Sequence, residues 1–128
     1  MNTYDAAHTL AKAIRESNEM KELREAKEAL KADESAKNML IDFRNEQIKM
    51  QEQKLQGIEV ARESEEKLLK LYEVVNLNTL VKGYLEAEYK ILRMLDDIQK
   101  IIAEATRELV DKDLINLPER FIEEPDDE

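Results

Sequence analysis

The stretch LVKGYLEAEYKILRMLDDIQKIIAEATRELVD, residues 80–111, decides the architecture of this chain. One row of residues in this stretch, here called the seam, recurs at alternating intervals of four and three residues. This is a heptad pattern, and it continues through most of four heptads. The seam consists of Tyr84, Glu88, Ile91, Leu95, Ile98, Ile102, Ala105 and Leu109. At a rise of 1.5 Å per residue, the stretch predicts a helix about 48 Å long. Such a helix exceeds the diameter of a compact 128-residue globule, so we expect it to pair with a second copy or with a paralogue.

Four shorter helices are predicted before this one, because apolar residues recur there at helical spacing. Their approximate bounds are 4–16, 19–31, 34–56 and 60–75. Asp33 suits the N-cap of the third helix, and Gly57 suits the position after its C-cap. Ser17 and Asn18 form a weaker break, so the first two segments either separate there or run together with a kink. Gly83 lies inside the fifth helix, where a close approach of another helix would explain it.

These segments predict an all-α fold, an antiparallel helical hairpin bundle with a long C-terminal helix that dimerises through helix packing. The chain has only two glycines and two prolines, far below their average usage, and this argues against a loop-rich or all-β chain. We expect one helical domain over residues 1–112 and an acidic, disordered tail over residues 113–128. Phe121 and Ile122 lie among the acids of that tail, so a short docking motif is an alternative to a purely solubilising end.

Composition excludes several kinds of site. The absence of cysteine from the sequence excludes disulfides, thiolate metal sites and cysteine nucleophiles. The sequence has a single histidine, His8, which excludes a two-histidine metal site within one chain. The two glycines lie 26 residues apart, so the chain has no glycine-rich phosphate loop. We therefore expect no catalytic residues, no metal and no cofactor. Neither a signal peptide nor a membrane-spanning segment is predicted, and the default location is the cytoplasm.

The net charge of −10 is unevenly distributed. Residues 110–128 hold eight acids and two bases, whereas the other 109 residues hold 22 acids and 18 bases. Phosphate contacts require a concentrated basic surface, which this chain does not have. Direct nucleic-acid binding and binding to an anionic membrane are therefore disfavoured.

The third predicted helix has an unusually wide apolar arc, which indicates contact with more than one neighbour. Its inner stripe consists of Ala36, Met39, Leu40, Phe43, Gln47 and Met50, and a second stripe consists of Ile41, Ile48 and Leu55. Together with the seam of the fifth helix, this arc supplies the residues that we expect at an oligomer or partner interface. They are Phe43, Arg44, Gln47, Met50, Tyr84, Glu88, Ile91, Leu95, Ile98 and Ile102.

Glu88 is the one charged residue in the seam of the fifth helix. A charge at such a position costs stability unless it is paired. One interpretation is a structural salt bridge that sets helix register, with Arg44 as the first candidate partner. The other is a polar contact that the helix presents to a partner protein. A catalytic role is disfavoured, because no second catalytic group is indicated.

The sequence resembles the YlbF/YmcA/YheA family. The resemblance rests on Ala32-Asp33-Glu34-Ser35-Ala36-Lys37, Phe43-Arg44 with Gln47, Gln53-Lys54 before Gly57, Leu85-Glu86-Ala87-Glu88, and residues 98–104. It covers residues 4–109 and is strongest toward the YheA-like branch. The family implies antiparallel helices that associate as dimers or tetramers. Some members bind iron–sulfur clusters through cysteines, which this chain does not have, and this points to the less-characterised branch.

The resemblance implies a non-enzymatic regulator that acts through protein–protein contacts. The better-known branches direct the endoribonuclease RNase Y in RNA processing and so affect competence, sporulation and biofilm formation. The expected partners are therefore a second copy of this chain, a family paralogue and RNase Y. The alternative is a structural homo-oligomer with no role in RNA processing.

Overall fold

The computed structural model describes residues 1–114, and these are helical almost throughout. The five α-helices are α1 (Thr3–Arg15), α2 (Asn18–Lys31), α3 (Glu34–Leu55), α4 (Arg62–Leu77) and α5 (Thr79–Ala105), followed by one 3₁₀ turn (Arg107–Leu109). No strand occurs within the described part, so the all-α prediction is confirmed. The predicted acidic tail falls almost wholly outside the described residues, which end at Leu114.

α4 begins after Ala61, which makes no side-chain capping bond, whereas local capping bonds mark the beginnings of the other four α-helices. In each case a side-chain oxygen accepts a backbone N–H from the first turn, satisfying a donor that has no partner within the helix. The caps are Asn2, Ser17, Asp33 and Asn78, with N···O distances of 2.8–3.2 Å. The Ser17 cap separates α1 from α2 and resolves the ambiguous break in favour of two helices.

Gly57 ends α3 in a left-handed conformation with φ of +74°. The Gly57 N–H donates to the Lys54 carbonyl at 3.1 Å, and the Ile58 N–H donates to the Gln53 carbonyl at 2.9 Å. This pair of bonds is the Schellman motif, which favours glycine because only glycine adopts positive φ without a Cβ penalty. The predicted position after the C-cap is therefore confirmed.

The chain divides into two compact units, one over residues 1–92 and a second that begins at Arg93, within α5. The core of the first unit draws on four helices, α2, α3, α4 and α5. Its buried residues are Leu30, Ala36, Leu40, Phe43, Val75 and Val81. Phe43 lies 6.0 Å from Tyr72 between ring centroids, and Glu46 lies 2.9 Å from Lys67. Because residues later on α3 meet residues earlier on α4, these two helices are antiparallel.

The predicted end of α5 is wrong. The helix ends at Ala105 rather than Asp111, which makes it about 40 Å long. The Thr106 hydroxyl donates back to the Ala103 carbonyl at 3.2 Å, and the next turn tightens into the 3₁₀ turn. Leu109 is 76% exposed, so no burial of this residue favours continuing the helix.

Gly83 lies inside α5, where the sequence suggested the close approach of another helix. A Cβ built at this position meets no atom within 4 Å among the described residues. A close helix approach therefore does not explain the glycine within this chain.

Candidate partner-binding surface

Arg44 of α3 and Glu88 of α5 form an ion pair. The Arg44 Nη2 atom donates to both carboxylate oxygens of Glu88, at 2.6 Å and 2.7 Å. The Arg44 side chain is 39% exposed and the Glu88 side chain is 26% exposed, so the pair is half-buried. The predicted pairing is confirmed, and it explains how a charge is accommodated in the seam of α5.

Tyr84 lies one helical turn before Glu88 and packs beside the same arginine. The Arg44 Cζ atom is 5.9 Å from the centre of the Tyr84 ring, within the range of a cation–π interaction. Burial and then the nearby Glu88 carboxylate raise the pKa of the Tyr84 hydroxyl, because both disfavour the phenolate. The three side chains therefore form one polar cluster between α3 and α5.

An open groove of about 530 Å³ begins beside this cluster and follows the second half of α3. Its lining is Arg44, Gln47, Ile48, Met50, Gln51 and Lys54 of α3, with Leu68 of α4. Three residues predicted for an interface, Arg44, Gln47 and Met50, come together here. Gln47 is exposed rather than packed on the inner stripe, because the core extends along α3 only as far as Phe43.

Two other predicted interface residues are buried within the first unit. Phe43 is 5% exposed and Ile91 is 8% exposed, so in this chain they support the helices rather than face a partner. The next three seam residues lie in the second unit and are more open. Leu95 is 37% exposed, Ile98 is half-buried, and Ile102 is 52% exposed. Ile101, beside Ile102, is 71% exposed and adds to this apolar surface.

Several contacts were not predicted from the sequence. Lys67 of α4 pairs with Glu46 of α3, and this bond lowers the pKa of Glu46 and raises that of Lys67. Lys90 of α5 pairs with Glu22 of α2 at 3.0 Å. Charged residues are too abundant for the sequence to single out these partners. The groove residues Gln51, Lys54 and Leu68 were missed as well, although Lys54 continues the heptad steps of the α3 inner stripe.

Residues 1–114 contain no group of three or more His, Cys, Asp or Glu side chains placed to hold a metal ion. None of the helices in this part of the chain is long and apolar enough to cross a membrane. The features that the described residues do offer are a polar cluster, a groove and an exposed apolar seam. Such features suit contacts with other macromolecules.

Residues 3–106 match the family model described as control of competence regulator ComK, YlbF/YmcA. A UPF0342 protein from Caldicellulosiruptor saccharolyticus is 42% identical over 104 residues, covering 81% of this chain and 87% of the relative. YheA from Bacillus subtilis has a similar fold, with a TM-score of 0.64, 27% identity, and coverage of 86% of this chain and 100% of YheA.

One chain of the crystal structure of Bacillus subtilis RicA in complex with RicF has the same fold. The TM-score is 0.58 at 24% identity, with coverage of 84% of this chain and 96% of the matched chain of that complex. The residues that the family model matches include all five α-helices. The chain therefore belongs to the YlbF/YmcA family.

Proposed function

We propose that this chain is a non-enzymatic regulator that acts in the cytoplasm through contacts with other proteins. The observation that carries the proposal is the exposed apolar seam formed by Leu95, Ile98 and Ile102 on the second half of α5. Isolated exposed apolar residues are ordinary, but a row at heptad spacing is typical of a helix that packs against another helix. The family's link to a competence regulator is consistent with this role.

In this proposal the protein is a homodimer, or pairs with a family paralogue, through the α5 seam. The dimer then presents the faces of α3 and α5 to a client. By resemblance, the proposed client is the RNase Y machinery, and the outcome is modulation of RNA processing and of competence, sporulation or biofilm development. The crystal structure of RicA in complex with RicF supports contact with another protein as a mode of action.

Affinity capture from native extract tests the proposal. Tagged protein is recovered with and without ribonuclease treatment, and the captured proteins are identified by mass spectrometry. We expect RNase Y or family paralogues to remain bound after ribonuclease treatment, because the proposed contacts are between proteins.

The control is the double variant Leu95→Glu/Ile98→Glu, which places charges in the seam and should lose paralogues. Recovery of this chain alone would overturn the regulatory proposal and favour a stand-alone structural oligomer. Capture that disappears with ribonuclease would instead indicate binding through RNA.

A further inference from the structure

The groove on α3 lies on the same side of the helix as the buried core residues of α3. Ala36, Leu40 and Phe43 are buried and lie four and three residues apart along one side of the helix. The same alternating steps lead on to Gln47, Met50 and Lys54, which line the groove. One side of α3 is thus covered by the core in its first half and open in its second half.

The apolar part of the open half is substantial. Ile48 is 53% exposed at one edge of the groove, and Met50 and Leu68 are half-buried elsewhere in its lining. Met50 is flexible and polarisable, so it adapts to different apolar surfaces. Ile48, Met50 and Leu68 are therefore the apolar residues of the lining, and this part of the chain leaves them partly exposed.

The charge of the groove is opposite to that of the chain. The net charge is −10, yet the lining contains two cations, Arg44 and Lys54, and no carboxylate. Glu88 already engages Arg44. Lys54, at the other end, forms no ion pair within residues 1–114. Because Glu88 neutralises Arg44, Lys54 gives the groove its net positive charge in an acidic protein, and this favours a partner of negative charge.

We propose that this groove binds an acidic amphipathic helix of a partner protein. This inference rests on the proposed function and specifies the chemistry of the client. Apolar side chains of the partner pack on Ile48, Met50 and Leu68, and a carboxylate at one end of its helix pairs with Lys54.

The length of the groove limits the size of the partner segment. Arg44 and Lys54 are ten residues apart on one helix, which corresponds to about 15 Å. An α-helix of about three turns spans that distance. Its anchors would recur at positions i, i+3 or i+4, and i+7, which is the spacing of helices that lie in apolar grooves.

Two synthetic peptides test the charge preference. The first is a fluorescein-labelled amphipathic helix with leucines at that spacing and glutamates at both ends, and the second has lysines in place of the glutamates. Fluorescence anisotropy with the full chain should show tighter binding of the acidic peptide. Lys54→Glu should weaken that binding about tenfold, equivalent to about 1.4 kcal/mol, and should improve binding of the basic peptide.

Matched variants assign the binding to the groove. Lys27→Glu makes the same charge change on α2 and should leave the affinity for the acidic peptide unchanged. Ile48→Asn should weaken binding, whereas Ile41→Asn, one heptad earlier on the same helix and also exposed, should not. Equal affinity for the two peptides, or equal effects of the groove variants and their controls, would overturn the proposal.

Photo-crosslinking in cells separates failure of the groove from failure of the proposed function. The crosslinker benzoylphenylalanine is placed at Gln51 in the groove and, as a control, at Glu25 on α2. Adducts at Gln51 whose crosslinked peptides are acidic and amphipathic would support the groove. Adducts only with basic peptides, or only at Glu25, would overturn the groove while leaving a protein partner in place. A lack of adducts at both positions, together with empty affinity capture, would overturn both proposals.

Discussion

Arg44 and Glu88 join α3 to α5 through a single nitrogen that bridges both carboxylate oxygens, at 2.6 Å and 2.7 Å. The pair connects residues 44 positions apart in the sequence and lies between the buried core and the open groove. Because it is half-buried, it is less screened by solvent than the exposed pairs on the helix surfaces. It therefore contributes to holding the first half of α5 against α3.

A double-mutant cycle measures this contribution. Arg44→Ala and Glu88→Ala should each lower the free energy of unfolding, and their coupling should be about 1 kcal/mol. The measurement is urea unfolding of the two single variants and the double variant. The exposed pair Arg62 and Glu66, which is 3.4 Å apart, provides the control and should show no measurable coupling. Coupling of the same size in both pairs would contradict a special role for Arg44 and Glu88.

Tyr84 should make stability fall at high pH. Its pKa is raised in the folded chain by burial and by Glu88, so the folded state favours the neutral phenol. The contribution of this group to the free energy of unfolding is fully present below the pKa of tyrosine in the unfolded chain, near 10. It is lost as pH rises toward the higher pKa of Tyr84 in the folded chain. Thermal unfolding between about pH 8 and 11 measures the effect.

Two variants assign this pH dependence to Tyr84. Tyr84→Phe should reduce the loss of stability at high pH, because it removes the titrating hydroxyl. Glu88→Gln should bring the pKa of Tyr84 down, since it removes the negative charge beside the phenol. An identical pH profile in wild type and Tyr84→Phe would disprove the assignment.

The two glycines should respond in opposite directions to the same substitution. Gly57→Ala should lower stability by roughly 1–2 kcal/mol, because φ of +74° is unfavourable for a residue with a Cβ. Gly83→Ala should raise stability by roughly 0.5–1 kcal/mol, because Gly83 is helical and an added methyl group meets nothing within 4 Å. Unfolding in urea compares the two variants. Destabilisation by Gly83→Ala would show that another molecule approaches α5 closely at that turn.

The α5 seam should control oligomeric state. Leu95→Glu/Ile98→Glu should convert the proposed dimer to monomer, because two charges would otherwise be buried in the helix interface. Sedimentation velocity measures the mass, and circular dichroism reports whether the helices remain. Arg93→Glu changes an exposed position on the same helix and should preserve the dimer. A dimer that is unchanged by the double substitution would exclude the seam as the interface.

The sequence determined the helical segments and most of their ends. Asn2, Ser17, Asp33 and Asn78 cap amides two or three residues away, and Gly57 closes the turn after α3. Such bonds depend only on immediate neighbours, so residue type and spacing suffice to predict them. The pairing of Arg44 with Glu88 was also predictable, because a lone charge in an apolar seam requires a partner.

Only the tertiary structure decided which apolar positions are covered. The inner stripe of α3 keeps the same spacing before and after Phe43, yet its first half is buried and its second half lines a groove. The partners of Glu46 and Glu22 and the end of α5 at Ala105 were likewise not readable from the sequence. Coverage depends on where neighbouring helices lie, and that placement is set by packing between residues far apart in the chain.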